Sequence, residues 1–254
     1  MSPNLPDSRN PTRYDEPSAT SGSGEPDRED LLRALALAEK KLEIVGSVTR
    51  HDALNQLTAI MGYNELLGTM VQDKEQQNFL EIERRSSEKM RRIFAYSKVY
   101  QSIGLEPPVW QNFGMLIRFA RDEVDTGNVA IRSDVDACSV FAAPLFVKVL
   151  VYLFDNAARH GKSTTGIQIR LRQNGQDAVL CIEDDGVGVH DGDKEKIFDK
   201  GFGKYTGWGL FVARDILAAN GMTIKETGTA GAGACFEIRI PAERIRIGTG
   251  PVRT

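Results

Sequence analysis

Hydrophobic residues recur at helical spacing through the first third of the chain. An apolar seam with steps of three, four and three residues, typical of a coiled coil, is formed by Leu35, Ala38, Leu42 and Val45. The same spacing continues to Met61, and no proline interrupts the pattern before Pro107. The pattern therefore predicts one long helix that begins near residue 30.

A polar break at "GTMVQDKEQ" separates this helix from a second one, predicted over about 75–101. The second helix has an apolar stripe of Phe79, Ile82, Met90 and Ile93, with arginines on its other faces. Two long helices joined by a short polar loop form an antiparallel hairpin. Since such a hairpin has too little core alone, we expect it to dimerise into a four-helix bundle.

The pattern changes after "GLEPPVW", because a glycine and a proline pair cannot continue a helix. Strands are predicted in "NVAIRSDV" and "ACSVFAA", and a helix in "PLFVKVLVYLFDNAARHG", opened by Pro144 and closed by Gly161. Alternating segments around Asn174-Gly175 predict a β-hairpin. A last helix in "GWGLFVARDILAANG" precedes the strand-like segments "MTIKET" and "ACFEIRIP". We expect an α+β sandwich, with one mixed sheet covered by helices.

These patterns divide the chain into four parts. Residues 1–29 are rich in Pro, Ser, Gly and charge, and we expect them to be disordered. Residues 30–104 form the all-α hairpin, 105–242 the α+β domain, and 243–254 a C-terminal tail. The predicted fold class is therefore multidomain.

Composition narrows the functional classes. The chain has 254 residues, of which 41% are hydrophobic and 26% charged, as in an ordinary globular protein. A formal net charge of −3 argues against a nucleic-acid surface. No apolar run approaches the roughly 20 residues of a membrane-spanning helix, and no signal peptide opens the chain, so we expect a cytoplasmic location. The cysteines lack metal-ligand spacing and are expected to be reduced core thiols.

One histidine on the first helix belongs to a polar stripe. His51, Asn55, Thr58 and Gly62 are spaced four, three and four residues apart, so they share one helix face. If the carboxylate of Asp52 accepts a hydrogen bond from the Nδ1–H group, the proton stays on Nδ1 and the Nε2 lone pair is free as a nucleophile. A solvated surface histidine beside an aspartate is the commoner interpretation of these residues alone.

Three further motifs lie in the α+β domain. In "DNAARHG", Asn156 ends an apolar helix, and its carboxamide oxygen is a ligand that suits Mg²⁺. In "EDDGVGV", the carboxylate of Asp184 can accept a hydrogen bond from an exocyclic amine, and Gly186 and Gly188 let a flat ligand approach. In "DKGFGKYTGWGL", a glycine-rich run containing Lys204 enters a helix N-terminus, which is phosphate-binding chemistry. A polar helix end or a flexible loop explains each motif alone, but not the set.

The order of these motifs resembles a known family. Asn156, Asp184 with its glycines, Phe198, and Gly207 with Gly209 are similar to the N, G1, F and G2 boxes of the histidine-kinase ATP-binding domain. That domain is shared with type II topoisomerases, Hsp90 and mismatch-repair ATPases. "RHDALNQL" resembles the H box of two-component sensor histidine kinases, in the style of archaeal members. The resemblance covers about residues 45–241.

The resemblance implies roles for individual residues. His51 matches the phosphoacceptor, Asp52 its activating acid, and Asn55 the position linked to dephosphorylation of the partner. Asn156 matches the Mg²⁺ ligand and Asp184 the adenine-reading aspartate. The remaining nucleotide-binding positions that the resemblance implies are Arg159, His160, Gly186, Gly188, Phe198, Lys204, Gly207, Gly209 and Leu210.

The sequence departs from the family pattern at three positions. Gln56 replaces a common proline, Tyr152 stands where a second asparagine is frequent, and Trp208 replaces a small residue in a short lid. None of these changes removes a group that the chemistry needs.

The resemblance implies a dimeric, ATP- and Mg²⁺-dependent protein-histidine kinase that autophosphorylates His51. Its partners would be a response-regulator receiver domain, which accepts the phosphoryl group on an aspartate, and a separate sensor protein; no nucleic acid is expected. A phosphatase activity is also implied. One alternative is a catalytically weak adaptor or phosphatase that binds ATP, dimerises and docks a response regulator. An ATP-operated clamp is a second alternative, but Tyr152 stands where a clamp has its catalytic glutamate.

Overall fold

Two long helices form the N-terminal part of the fold. The computed structural model describes residues 27–160, 164–203 and 205–248. Helix α1 spans Arg28–Met70 and α2 spans Lys74–Gln101, which agrees with the predicted hairpin. Residues 1–29 were expected to be disordered. Of these, residues 1–26 lie outside the described residues, and residues 28 and 29 belong to α1.

Local contacts explain the hairpin. Asp73 caps α2, because its carboxylate accepts hydrogen bonds from the backbone amides of Glu75 (3.1 Å) and Gln76 (3.0 Å). Near the other end of α2, Arg50 donates to the side chain of Gln101 at 2.7 Å. Gly46 faces the same glutamine side chain, which would have to move if a Cβ atom were present at that position.

A five-stranded mixed sheet forms the larger layer of the α+β domain. Its strands are β2 (Ala130–Ser133), β4 (Gly166–Asn174), β5 (Asp177–Asp184), β6 (Thr223–Glu226) and β7 (Cys235–Ile240). The spatial order is β2-β4-β5-β7-β6, with β2 parallel to β4 and the other pairs antiparallel. The predicted turn between β4 and β5 is present, and Gly175 takes a left-handed φ of 65°.

A second sheet and an additional helix differ from the predicted single sheet. Strands β1 (Val109–Asn112), β3 (Ser139–Ala142) and β8 (Ile245–Arg246) form a separate three-stranded antiparallel sheet. Helix α3 (Phe113–Glu123) lies between β1 and β2. The single-sheet prediction was wrong because β1 and β8 are too short for a detectable alternation. The C-terminal tail expected from residue 243 contains strand β8 of this sheet, and residues 249–254 lie outside the described residues.

The core lies between the five-stranded sheet and helices α3, α4 (Phe146–His160) and α5 (Gly209–Ala219). Helix α4 begins two residues after Pro144, and its expected end at Gly161 lies outside the described residues. Six consecutive residues of α4, Val149 to Phe154, are buried. The three cysteines are free, and only Cys235 is partly exposed.

The C-terminal half of α2 packs against the α+β domain. The Tyr96 ring lies 5.0 Å from the ring of Tyr152 in α4, and the Tyr100 ring stacks on Phe211 of α5 at 5.6 Å. Such aromatic pairs contribute beyond their buried area. Among the helices that the structure describes, none combines the length and apolar character needed to cross a lipid bilayer.

The capping interaction of Asp73 yields a stability prediction. Asp73→Ala should lower the free energy of unfolding by about 1 kcal/mol, because two amides at the start of α2 lose their acceptor. Denaturant unfolding followed by circular dichroism measures the change. Gln72→Ala, at an exposed position next to the cap, is the control. Equal stability of the two variants would contradict the assigned role of the carboxylate.

Candidate functional site

The main cavity of the structure has a volume of about 600 Å³ and lies at the C-terminal end of α4. Its walls are formed by α4, the loop after β5, the glycine-rich segment before α5, the start of α5, and α2. Among the predicted site residues, the cavity lining includes Asn156, Arg159, Gly188, Gly207, Gly209 and Leu210. The structure therefore brings residues from three of the four sequence motifs to one place.

The end of α4 supplies the polar groups of this cavity. The packed part of α4 contributes the buried Tyr152 to the cavity wall, and Asp155 and Asn156, which follow it, are half-buried at the cavity edge. Arg159 Nε donates to Asp155 Oδ1 at 2.5 Å, one helical turn away. Arg92 Nη1 of α2 lies 3.7 Å from the other oxygen of the same carboxylate.

Asp184 is a buried carboxylate, with 8% of its surface exposed. Its Oδ1 accepts hydrogen bonds from the backbone amides of Gly186 (2.9 Å) and Ala234 (3.3 Å). Burial raises the pKa of Asp184, and the two amides oppose this shift. Asp184 does not line the main cavity; it lines a shallower depression together with Asp185 and Thr165.

A second glycine-rich loop, residues 228–233, lies directly against the loop after β5. Gly188 has a φ of 66°, and a Cβ atom there would lie 2.5 Å from the carbonyl oxygen of Thr229. A Cβ atom on Gly233 would lie 1.9 Å from the carbonyl oxygen of Asp184. The amide of Gly231 also donates to the carbonyl of Val187 at 2.7 Å. Gly188 is therefore required for packing between two loops as well as for any approach of a ligand.

Sequence reasoning missed the loop 228–233 and the ion pair below it. Glu226 is buried, and its Oε1 accepts from the amides of Gly228 (2.9 Å) and Cys235 (3.1 Å). Its Oε2 lies 3.6 Å from Lys194 Nζ, which also donates to the Gly228 carbonyl. The closely spaced glycines in "TGTAGAGA" were a usable signal for this loop.

Asp185 ties the end of β5 to the start of β4. Its carboxylate accepts from the amides of Thr165 (2.7 Å) and Gly166 (3.0 Å) and from the Thr165 hydroxyl. These hydrogen bonds lower the pKa of Asp185 to about 2, and the bond from the Thr165 hydroxyl has the largest effect.

The glycine-rich segment before α5 folds back on itself. The amide of Gly201 donates to the carbonyl of Gly207 at 2.9 Å, and Gly207 has a φ of 64°. A Cβ atom on Gly207 would lie 2.3 Å from the backbone of Gly201. Lys204 and the side chain of His160 lie outside the described residues.

Other predicted site residues lie elsewhere in the domain. Phe198 is buried in the core and does not line the cavity. Its ring makes an edge contact with the ring of Phe236, with the centroids 6.4 Å apart. Gly186 is also absent from the cavity lining. Trp208 is half-buried, packs against Phe211, and lies under the Lys200 ammonium group at 4.5 Å.

The residues around His51 form a separate site on α1. The side chain of His51 is 73% exposed, and its Nδ1 lies 3.1 Å from Asp52 Oδ1. The amide nitrogen of Asn55 lies 3.3 Å from the same Nδ1. A proton on Nδ1 that is donated to Asp52 leaves the lone pair on Nε2, which is the tautomer that the sequence predicts. These three residues do not line the main cavity.

Several cavity residues were not predicted as site residues. Among them are Arg92 and Tyr96 of α2, and His190 and Asp193 of the loop after β5. His190 was expected in a solvated loop; it is exposed, and its Nδ1 accepts from the amide of Gly192 at 3.4 Å. The two α2 residues carry no motif, so sequence alone offered no signal for them.

Comparisons with known proteins agree with this geometry. Residues 142–244 match the family model described as histidine kinase-, DNA gyrase B-, and HSP90-like ATPase. The sensor protein KdpD of Escherichia coli (strain K12) is 32% identical over 108 residues, which are 39% of this chain and 12% of KdpD. The sensor protein SrrB of Staphylococcus aureus (strain NCTC 8325 / PS 47) is 32% identical over 103 residues, which are 37% of this chain and 18% of SrrB. The chain thus spans less than a fifth of these curated relatives.

Solved structures agree with the fold. Full-length ShkA, crystallised in complex with AMPPNP, aligns with a TM-score of 0.58 at 18% identity, over 82% of this chain and 47% of ShkA. The Acinetobacter baumannii histidine kinase AdeS aligns with a TM-score of 0.50 at 19% identity, over 76% of this chain and 98% of the AdeS chain. Both alignments cover more of this chain than the family model does.

The packing of Gly188 yields a prediction for the loop after β5. Gly188→Ala should destabilise the domain by at least about 1 kcal/mol, because an L-residue is strained at this φ and its Cβ meets the Thr229 carbonyl. Thermal unfolding measures the effect. Gly192→Ala is the matched control, since the nearest atom to a Cβ there is 3.8 Å away. Similar melting temperatures for both variants would show that the two loops are not in contact.

The lowered pKa of Asp185 predicts a pH dependence. A carboxylate whose pKa is lower in the folded chain contributes stability above its unfolded pKa of about 3.9 and loses it as the pH falls toward 2. Asp185→Asn should therefore be less stable than wild type at pH 6, and the two should converge between pH 4 and pH 2. Unfolding curves over this range are the measurement, with the exposed Asp122→Asn as control. A pH-independent difference would exclude the titration of Asp185 as the cause.

Proposed function

We propose that this chain is an ATP-dependent protein-histidine kinase. The proposal is supported by the match of residues 142–244 to the histidine kinase-, DNA gyrase B-, and HSP90-like ATPases and by the similarity of the chain to sensor proteins. The observation that carries the proposal is the pairing of the two sites. One is the cavity at the end of α4 with its glycine-rich walls. The other is an exposed histidine with a carboxylate at its Nδ1.

The cavity fits ATP as the phosphoryl donor. Its volume of about 600 Å³ is within the range of small-molecule sites. The backbone amides at the start of α5 have no side-chain cap, so they are available to an anion at that end. Asp184, which lies outside the cavity lining at the end of β5, is the carboxylate proposed to accept a hydrogen bond from the amine of adenine.

The donor set near the cavity fits a metal ion that arrives with the nucleotide. Among residues 27–160, 164–203 and 205–248, no group of three or more His, Cys, Asp or Glu side chains could hold a metal. Asn156 is the residue that would contact Mg²⁺, with the phosphate oxygens as the other ligands. When bound, the ion supplies neutralisation of the phosphate charge.

The histidine site fits the phosphoryl acceptor. With its proton on Nδ1 held by Asp52, His51 can attack the γ-phosphorus through the Nε2 lone pair. The bond to the bridging oxygen breaks, ADP leaves, and the ring returns to neutrality by losing its Nδ1 proton. The large exposure of His51 leaves room for the ATP-binding domain and, later, for a response-regulator receiver domain whose aspartate takes the phosphoryl group.

The surface of the hairpin supports a homodimer. Many large apolar side chains of the two helices are more than 40% exposed, including Ile60, Leu66, Leu67, Phe79, Ile82 and Met90. An exposed apolar face of this extent is typical of an interaction surface. A second copy of the hairpin would bury it in a four-helix bundle.

A phosphatase activity is the second candidate, favoured by the position of Asn55. Its amide lies beside the Nδ1 of His51, on the same helix face, where it can orient a water molecule toward a phosphorylated receiver domain. The same contact allows a weak kinase that acts mainly as an adaptor or phosphatase. A sensor protein that supplies the input signal belongs to either proposal.

Transfer of ³²P from γ-labelled ATP with Mg²⁺ tests the kinase proposal. Wild type should acquire acid-labile, base-stable label, as phosphohistidine does. His51→Gln should acquire none while it still binds ATP, and Asp52→Asn should label at least about 100-fold more slowly, because the tautomer is no longer fixed. Asn156→Ala should lose Mg²⁺-dependent labelling.

Asn128→Ala, at an exposed asparagine outside the cavity, is the control for Asn156→Ala. Label that persists in His51→Gln would refute the acceptor assignment. ATP binding without any labelling of wild type would refute the kinase and favour the phosphatase, for which Asn55→Ala is the next variant.

A further inference from the structure

Two residues of the helical hairpin form part of the wall of the nucleotide cavity. Arg92 and Tyr96 both line the cavity, although they belong to α2 and lie outside the ATPase family match. They are four residues apart, so they lie on the same face of α2. The cavity is therefore completed by an element that does not belong to the ATPase domain.

Tyr96 lies at the end of the cavity where phosphates are expected. Gly209 begins α5, and a Cβ atom added to it would lie 3.5 Å from the Tyr96 hydroxyl. Burial raises the pKa of Tyr96, so its hydroxyl stays protonated, and Thr206 of the glycine-rich segment lines the same cavity. The face of α2 that carries Arg92 is thus held next to the uncapped amides of α5.

Arg92 shares one carboxylate with a second arginine. Asp155 lies between two guanidinium groups, those of Arg92 and Arg159, so this cluster carries a net charge of +1. Arg159 makes the short contact to Asp155, at 2.5 Å, whereas Arg92 is 3.7 Å away. A separation of 3.7 Å is too long for a hydrogen bond.

Arg92 is only weakly bound in this arrangement. Its side chain is 32% exposed, and ion pairs that water can reach contribute little to stability. The structure records no hydrogen bond from its guanidinium to another described residue. Five N–H donors at the edge of an anion-binding cavity are suited to a phosphate.

We propose that Arg92 is a phosphate-binding residue, by which the helical hairpin contacts the polyphosphate of a nucleotide held in the ATPase domain. This inference rests on the proposed binding of ATP in the cavity. On nucleotide binding, the guanidinium of Arg92 moves from Asp155 to a phosphate oxygen, and Arg159 remains paired with Asp155. Since one contact then joins the nucleotide to α2, nucleotide binding and the packing of the domain on α2 strengthen each other by the same factor.

Calorimetric titration of the full chain with AMPPNP and, separately, with adenosine tests the proposal. Arg92→Gln should bind AMPPNP roughly tenfold more weakly, because a charged hydrogen bond to phosphate is lost. Its affinity for adenosine, which has no phosphate, should stay within twofold of wild type. Arg92→Lys should recover part of the AMPPNP affinity, since the charge returns without the planar fork.

Arg91→Gln is the matched control, because Arg91 is the exposed neighbour of Arg92 and does not line the cavity. Equal AMPPNP affinity in Arg92→Gln and Arg91→Gln would overturn the assignment. An equal loss of AMPPNP and adenosine affinity in Arg92→Gln would also overturn it, since that result indicates a disturbed fold. If wild type binds neither ligand, the proposed ATP site itself fails, and the assignment of Arg92 fails with it.

Discussion

The site depends first on the burial of α4 around almost its whole circumference. Val149 to Phe154 contact the sheet, the two neighbouring helices and α2, so this helix has no solvent-facing stripe in its central turns. A helix that is apolar all round has a fixed position, because any shift would expose or overpack the core. Asp155, Asn156 and Arg159 follow directly, and their positions at the cavity edge are set by this packing.

Opposing effects act on the ionisation of Asp184, the last residue of β5. Burial disfavours the charged form of Asp184, while two backbone amides favour it. One of these amides belongs to Ala234, which follows the second glycine-rich loop, so the acidity of Asp184 depends on a segment distant in sequence. The close packing at Gly188 and Gly233 keeps that segment in place. The position of Asp184, which is proposed to read adenine, is thus maintained by main-chain packing, and only secondarily by side chains.

Much of the architecture could be predicted from sequence where a single pattern decides the element. The helical hairpin, the turn at Gly175 and helix α4 follow from periodicity and turn chemistry, which are local properties. The three-stranded sheet could not be predicted in this way, since β1 and β8 pair with β3 only through the tertiary fold. For the site, motif order pointed to Asn156 and the glycines of the cavity. Arg92 and Tyr96 could not be found, because their role arises from the packing of α2 on another domain.

The connection between the hairpin and the domain limits how far the two can separate. Helix α2 ends at Gln101 and β1 begins at Val109, so seven residues, 102–108, join them. Fully extended, a segment of this length reaches roughly 25 Å, and its two prolines make it stiffer than an average chain. The domain therefore meets the surface of its own hairpin as a tethered partner, at an effective concentration on the order of millimolar. The frequency of that encounter is a property of the linker and does not change when the protein is diluted.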